Sequence, residues 1–226
     1  MRIAVIGTGM VGQAIAARLD ELGHDVSVGT RDVASARART EASGAGEGAF
    51  GDWAQAHPEI AVAEFANVAD GADLVVNATS GAVSLAALTE VGKANLDGTI
   101  LLDISNPLDF SQGFPPTLFV KDTDSLGEQI QAAFPRARVV KSLNTMTAEL
   151  MVRPQQLADG QHTVFVSGDD PDAKTTVTDL LTSMGHTDVI DLGGIATCRG
   201  PEMYLPLWLR TMGALGSGMF NVKMIR

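Results

Sequence analysis

The run Ile3-Ala4-Val5-Ile6-Gly7-Thr8-Gly9-Met10-Val11-Gly12 stands near the start of a chain of 226 residues. Its first four residues are apolar, as a strand covered on both faces requires. Glycines follow at 7, 9 and 12, and residues 10–22 then carry Val11, Ile15, Ala16 and Leu19 on one helical face. Strand, glycine turn and helix at the opening of a βαβ unit form the dinucleotide fingerprint GxGxxG. The first glycine permits the tight turn, the second lets the backbone approach a pyrophosphate, and the third lets the helix pack closely on the strand. Free amides around Met10 and Val11 would face phosphates with the helix dipole behind them. The plain alternative is a glycine turn that holds no ligand. A secretory leader is set aside, because the glycines break the apolar run at once and Ala14-Ile15-Ala16 reads as helix.

Working outward, the same kind of strand recurs at Val26-Ser27-Val28, Leu74-Val75-Val76, Ile100-Leu101-Leu102 and Val139-Val140. A helical pattern over 82–92 places Val83, Leu85, Leu88 and Val91 together. Strands alternating with helices imply a parallel sheet, and right-handed crossovers make it a doubly wound α/β fold of the Rossmann type. This domain is expected to span 1–145. Within it, Ser43-Gly44-Ala45-Gly46-Glu47-Gly48 reads as a loop, Phe50 and Trp53 as anchors of a short helix, and 106–124, with three prolines, as a long irregular connection. A small C-terminal α+β lobe, 146–226, is expected to serve substrate and dimer contacts. It carries strand patterns at Thr163-Val164-Phe165-Val166 and Val189-Ile190, a helix from Asp170-Pro171 to Met184 stopped by Gly185, and one hydrophobic helix from about Pro201 to Phe220.

Composition narrows the function. Sixteen Lys and Arg against 27 Asp and Glu give a formal net charge of −11, which argues against a nucleic-acid binder, with its need for a basic face, and against an anionic membrane surface. Residues 205–220 are apolar but interrupted and too short to span a bilayer. Cys198 is the single cysteine, so no internal disulfide or Cys-based metal cluster is expected, and a free thiol suits a reducing cytoplasm.

The second strand, from Asp25, ends in Thr30-Arg31, where NAD-binding relatives of the fingerprint carry an acidic residue for the ribose. A hydroxyl followed by a guanidinium fork would instead meet a 2′-phosphate, so the cofactor reads as NADP(H). Asp32 reads as the N-cap of the next helix. An ordinary surface arginine is the alternative for Arg31.

Ligands of open parallel sheets sit beyond the carboxyl ends of the strands. Three more ends carry small polar residues: Asn77-Ala78-Thr79-Ser80, Ser105-Asn106-Pro107 and Ser142-Leu143-Asn144-Thr145. Thr79 and Ser80 suit ribose or phosphate, and Asn106 and Asn144 suit a carboxamide or a carbonyl. N-caps or Asx turns are the alternative for all of them. No catalytic acid or base emerges. None of His24, His57, His162 and His186 falls at a strand's carboxyl end in the main sheet, and Tyr204 lacks a partner lysine four residues on. Lys141 is the one plausible proton donor near the Asn144 loop, with an ordinary strand-end lysine as its alternative.

The chain resembles the coenzyme F420-dependent NADP oxidoreductases through Gly7-Thr8-Gly9-Met10-Val11-Gly12, Gly29-Thr30-Arg31, Asp103-Ile104-Ser105-Asn106-Pro107-Leu108, Val140-Lys141-Ser142-Leu143-Asn144-Thr145, Val166-Ser167-Gly168-Asp169-Asp170 and Asp191-Leu192-Gly193. The resemblance implies NADP binding at the matched glycines, Thr30 and Arg31, hydride transfer to a deazaflavin, and a homodimer. It also accounts for the missing acid, because hydride exchange between two bound carriers needs aligned rings rather than a strong base. Another flavin, a quinone or a metal centre as acceptor, or a regulatory module that binds NADP without turnover, are the competing readings. Arg199 and Arg210 are the expected contacts for an anionic acceptor, with a salt-bridged helix end as the alternative. The apolar 201–220 segment, with Met203, Met212 and Met219, is expected to wall the cleft and to form the dimer.

Overall fold

The computed structural model describes residues 1–39 and 49–226, so the expected loop at 43–48 lies outside the described residues. The strands are β1 (Arg2–Ile6), β2 (Asp25–Thr30), β3 (Ala61–Glu64), β4 (Leu74–Asn77), β5 (Ile100–Asp103), β6 (Leu108–Asp109), β7 (Thr117–Leu118), β8 (Arg138–Ser142), β9 (Thr163–Ser167) and β10 (Asp188–Asp191). The helices are α1 (Met10–Glu21), α2 (Val33–Arg37), α3 (Phe50–Ala56), α4 (Phe65–Val68), α5 (Gly81–Val91), α6 (Lys93–Leu96), α7 (Leu126–Ala133), α8 (Ala148–Val152), α9 (Pro171–Met184), α10 (Arg199–Met203) and α11 (Leu205–Leu215). One sheet runs β10-β9-β8-β5-β4-β1-β2-β3, and β6 pairs with β7 in a separate ribbon.

The strand residues alternate between two cores. Ile3, Val5, Leu74, Val76 and Val140 face a cluster with Ile15, Leu19, Met151, Leu180 and Leu181. Ala4, Ile6, Val75, Leu101 and Val139 face a second cluster with Phe65, Leu88, Leu126 and Ile130. Helices on both faces thus explain why these strands read as continuous apolar runs. From β1 the chain winds outward to β2 and β3, then returns to β4, β5 and β8 on the other side. The order therefore reverses between β1 and β4, and such a switch point opens a crevice at the carboxyl ends of the strands.

Residues 146–226 share this scaffold. Strand β9 pairs antiparallel with β8 through Lys141↔Ser167, and β10 pairs parallel with β9. Residue 145 therefore marks no break in the sheet, and Val164, Val166, Val177 and Leu181 lie in the same core as Ile3 and Val5. The single helix expected over 201–220 is instead two short ones, α10 and α11. Pro206, which has no amide hydrogen to give to a preceding turn, sits at the start of α11. Gly216, at φ 63°, ends it in the left-handed conformation. The tail beyond returns to β9, where the Thr163 amide donates to the Val222 carbonyl at 2.9 Å. Phe50 is fully buried on α3, as its anchoring role requires.

A dinucleotide cleft and an adjoining apolar cavity

The three fingerprint glycines do different work. Gly7 has φ 125°, and a Cβ there would come within 2.7 Å of the Ala78 carbonyl oxygen. A Cβ on Gly12 would stand 2.1 Å from the Gly7 carbonyl oxygen, so helix α1 can lie against the turn only without one. A Cβ on Gly9 would meet nothing within 4 Å. Gly9 is the N-cap of α1 and brings no side chain to the first helix amides, so those donors face open space. That combination is a cradle shaped for an anion.

The cradle opens into a cleft of about 950 Å³ lined by Gly7, Thr8, Gly9, Thr30, Arg31, Ala78, Thr79 and Ser80, among others. At its far end Arg31 is exposed, and no ion pair or hydrogen bond engages its guanidinium among the described residues. Asp32 is turned away from this role. Its carboxylate caps α2, accepting from the Ser35 amide at 2.9 Å and the Ser35 hydroxyl at 2.8 Å. Those two bonds hold its pKa below the usual carboxylate value.

Arg39 is a lining residue that sequence reasoning missed. Its guanidinium donates to the Thr8 hydroxyl at 2.6 Å and lies 5.7 Å from the centre of the Phe50 ring. No motif marks it, because it reaches the glycine turn only by folding back from beyond α2. The donor set therefore suits a phosphorylated dinucleotide: a glycine cradle with no side chain over its amides, a hydroxyl at Thr30, and two guanidinium groups.

Ala78, Thr79 and Ser80 also line a second space, of about 580 Å³, and so join the two. Its walls are mostly apolar: Met10, Val11, Met146, Met151, Trp208 and Leu209 are among them. Met10, Met146 and Met151 take the place expected for Met203, Met212 and Met219, none of which lines it. Asn106 and Asn144 stand on its rim and hold one another. The Asn106 amide donates to the Asn144 carbonyl at 2.9 Å, and the Asn144 amide donates to the Asn106 side-chain oxygen at 2.9 Å.

Four expectations need correction. Asn77 does not line either space. It is fully buried, donating to Asp103 at 2.8 Å and to Ser84 at 3.1 Å, while its oxygen accepts from the Thr79 hydroxyl at 2.7 Å. Lys141 is no proton donor to a ligand, because its side chain is fully buried between Asp103 at 2.7 Å and Glu202 at 2.9 Å. Burial alone would lower its pKa, but the two carboxylates more than reverse this, so it stays an ammonium. Arg199 lines neither space and is paired with Glu128 through two bonds of 2.8 and 2.6 Å. Arg210 points out from α11, exposed, and also lines neither. The salt-bridged alternative is the one that holds for Arg199, and its partner lies too far along the chain for pattern reading to find.

Residues 2–107 match the family model described as NADP oxidoreductase, coenzyme F420-dependent. A crystal structure of a protein described as a candidate F420-dependent NADP reductase from Arthrobacter sp. FB24 is 57% identical, covers 100% of both chains and superposes with a TM-score of 0.95. The metalloreductase STEAP3 of Rattus norvegicus is 29% identical over 221 residues, which are 95% of this chain but 39% of that protein. The chain thus spans about two-fifths of that relative. Pyrroline carboxylate reductase of Plasmodium falciparum with NADP bound shares the fold, at 14% identity and a TM-score of 0.52 over 96% of this chain and 69% of that one. No helix among the described residues is long and apolar enough to cross a membrane. With a glycine cradle at the switch point, a carboxylate-free strand end beside it and full-length likeness to a 57% identical reductase, the chain belongs to the family of coenzyme F420-dependent NADP oxidoreductases.

Proposed function

We propose that this chain transfers hydride between NADPH in the glycine-turn cleft and the ring of coenzyme F420 in the adjoining apolar cavity. The observation that carries the reading is the continuity of the two spaces across Ala78, Thr79 and Ser80. A dinucleotide along the first would bring one end to the mouth of the second. When bound, NADP supplies the hydride chemistry at its nicotinamide ring.

The residues then divide the work. Gly7, Thr8, Gly9, Met10, Val11 and Gly12 present backbone amides to the pyrophosphate. Thr30, Arg31 and Arg39 meet the 2′-phosphate. Ala78, Thr79 and Ser80 flank the bridge between the spaces. Asn106 and Asn144 each give one amide hydrogen to the other, and the second hydrogen of each remains to orient a carboxamide or ring carbonyl. The wall of Met10, Met146, Met151 and Trp208 excludes water and lets flat rings lie together. The role of the chain is alignment, which is the main requirement of hydride exchange between two rings.

Segment 146–226 would supply much of the cavity wall and the dimer surface. Leu205 and Leu209 turn into the core, while Leu207 and Leu215 on the same helix are 61% and 62% exposed. A second copy of the chain would cover that face. The buried Cys198 thiol, pushed up to about 11 by burial, suits a protein of the reducing cytoplasm.

One observation favours a different ring. Among the described residues no lysine or arginine lines the apolar cavity, although F420 carries a phosphate and a polyglutamate tail. A flavin without a phosphate, or a quinone, is therefore the second reading. NADPH oxidation measured with F420, riboflavin, a quinone and a ferric chelate separates the two. Fastest turnover with F420 supports the first reading. Tight NADPH binding without oxidation by any acceptor would reduce the chain to a binding module.

A further inference from the structure

Behind Thr79 and Ser105, which line the apolar cavity, three charged side chains meet with almost no exposure. Asp103 ends β5, Lys141 lies on β8, and Glu202 comes from α10, far along the sequence. Lys141 bridges the two carboxylates at 2.7 and 2.9 Å and also donates to the Ser105 carbonyl. Each carboxylate has further duties. Asp103 accepts from Asn77 at 2.8 Å, from the Ser105 amide at 3.2 Å and from the Ser105 hydroxyl at 2.7 Å. Glu202 accepts from the Leu126 and Gly127 amides at 2.8 and 3.0 Å, at the start of α7.

Such a group is a poor way to add stability. Removing three charges from water carries a large penalty, and well-packed apolar residues often serve as well. Its value lies in what it connects. On one side the chain of bonds runs from Asp103 through Asn77 to Thr79, which lines both spaces. On the same side it holds Ser105, beside Asn106 on the cavity rim. On the other side Glu202 is followed directly by the Leu205, Trp208 and Leu209 wall of α11.

We propose that Glu202 is a positioning residue for hydride transfer: through Lys141 and Asp103 it sets the distance between the α11 wall, which would hold the acceptor, and the Thr79–Asn106 rim, which would hold the nicotinamide. This rests on the reading that the acceptor occupies the apolar cavity. A shift of α10 would move one ring against the other while leaving the glycine cradle, Arg31 and Arg39 untouched. None of those residues contacts the triad in the described hydrogen bonds.

Glu202→Gln tests this, because it keeps the size, removes the charge and leaves one of the two α7 amides facing an amide nitrogen. NADPH affinity by calorimetry is expected to stay within about twofold, while kcat/KM for the acceptor falls by about tenfold to a hundredfold, as small misplacements of reacting groups do. Glu202→Asp keeps the charge but draws it back by one methylene, so it is expected to be impaired as well; full activity there would show that charge and not position matters, and would overturn the proposal. It also carries the test if the glutamine variant fails to fold. Unchanged kcat and KM in both variants would overturn it, as would parallel losses of Tm, NADPH affinity and turnover, which mark a purely structural group. A wild-type protein that reduces none of the acceptors would defeat the acceptor reading instead. The coupling is then read from Trp208 fluorescence on adding NADPH, in a Trp53→Phe background. A response present with Glu202 and absent in Glu202→Gln upholds it, and equal responses refute it.

Discussion

Alanine at Gly9 and alanine at Gly12 should have opposite consequences, although the two glycines lie on one turn. Gly9 has φ −81° and ψ −177°, a conformation open to alanine, and its new methyl would meet no protein atom within 4 Å. Alanine is the poorer N-cap, but it has less freedom to lose on folding, so the two effects offset to within about 1 kcal/mol. Melting should therefore shift by no more than about 2–4 °C. The same methyl would stand where a pyrophosphate oxygen must approach the α1 amides. Loss of one charge-assisted hydrogen bond, about 1.5–3 kcal/mol, lowers NADPH affinity by about tenfold to a hundredfold. At Gly12 the methyl would stand 2.1 Å from the Gly7 carbonyl oxygen, a backbone atom that cannot swing aside. Turn and helix must separate, at a cost of about 1–3 kcal/mol or more, and Tm should fall by several degrees. Calorimetry with NADPH and thermal melting of both variants check this. A Gly9→Ala protein that binds NADPH as the wild type does would show that the loop is only a turn. A Gly12→Ala protein with an unchanged Tm would refute the close packing.

Three further outcomes are expected. The native protein should bind NADPH at least about tenfold tighter than NADH, about 1.4 kcal/mol, with Arg31→Ala erasing most of that preference and Arg39→Ala part of it; equal native affinities would sink the 2′-phosphate assignment. His186, lowered from 6.5 to about 4 by burial, with the Met151 carbonyl partly opposing and His162 adding to it, should make stability fall as the pH falls. The unfolded chain binds that proton first, so the loss begins near pH 6.5 and is complete near 4, on the order of 3 kcal/mol; urea titrations of the wild type and His186→Phe should differ in slope across that window, and equal slopes would clear His186 of the effect. Light scattering should give twice 23.6 kDa, and Leu207→Asp should shift it towards one copy; a native particle of 23.6 kDa at micromolar concentration rules the dimer out.

The division between what could be read early and what could not follows the range of the interactions. The glycine turn and α1 are local: their signals sit within a dozen consecutive residues, and the geometry at Gly7, Gly9 and Gly12 matches the role each spacing implies. The stop at Gly185 and the caps at Asp32 and Asp170 are local too, since a side chain three residues from an amide needs no tertiary help. Strand β3 escaped notice because Ala61-Val62-Ala63-Glu64 has little preference of its own and is held by pairing with β2.

Among the functional residues, a residue type facing a strand end says that a group is polar, not which neighbour claims it. Asn77 looked free and is held by Asp103 and Ser84; Arg199 looked available and is held by Glu128. Arg39 carried no signal and yet reaches Thr8. The amino-acid sequence alone determined the doubly wound sheet, the cradle at its switch point and the carboxylate-free strand end, because hydrophobic period and backbone freedom are properties of neighbouring residues. Only the tertiary structure decided that β9 and β10 extend that same sheet, that Lys141 is locked between two carboxylates, and that the α11 wall closes a cavity beside the cradle. Each of these depends on groups tens of residues apart in the chain competing for one partner in space, and no spacing along the chain records who wins.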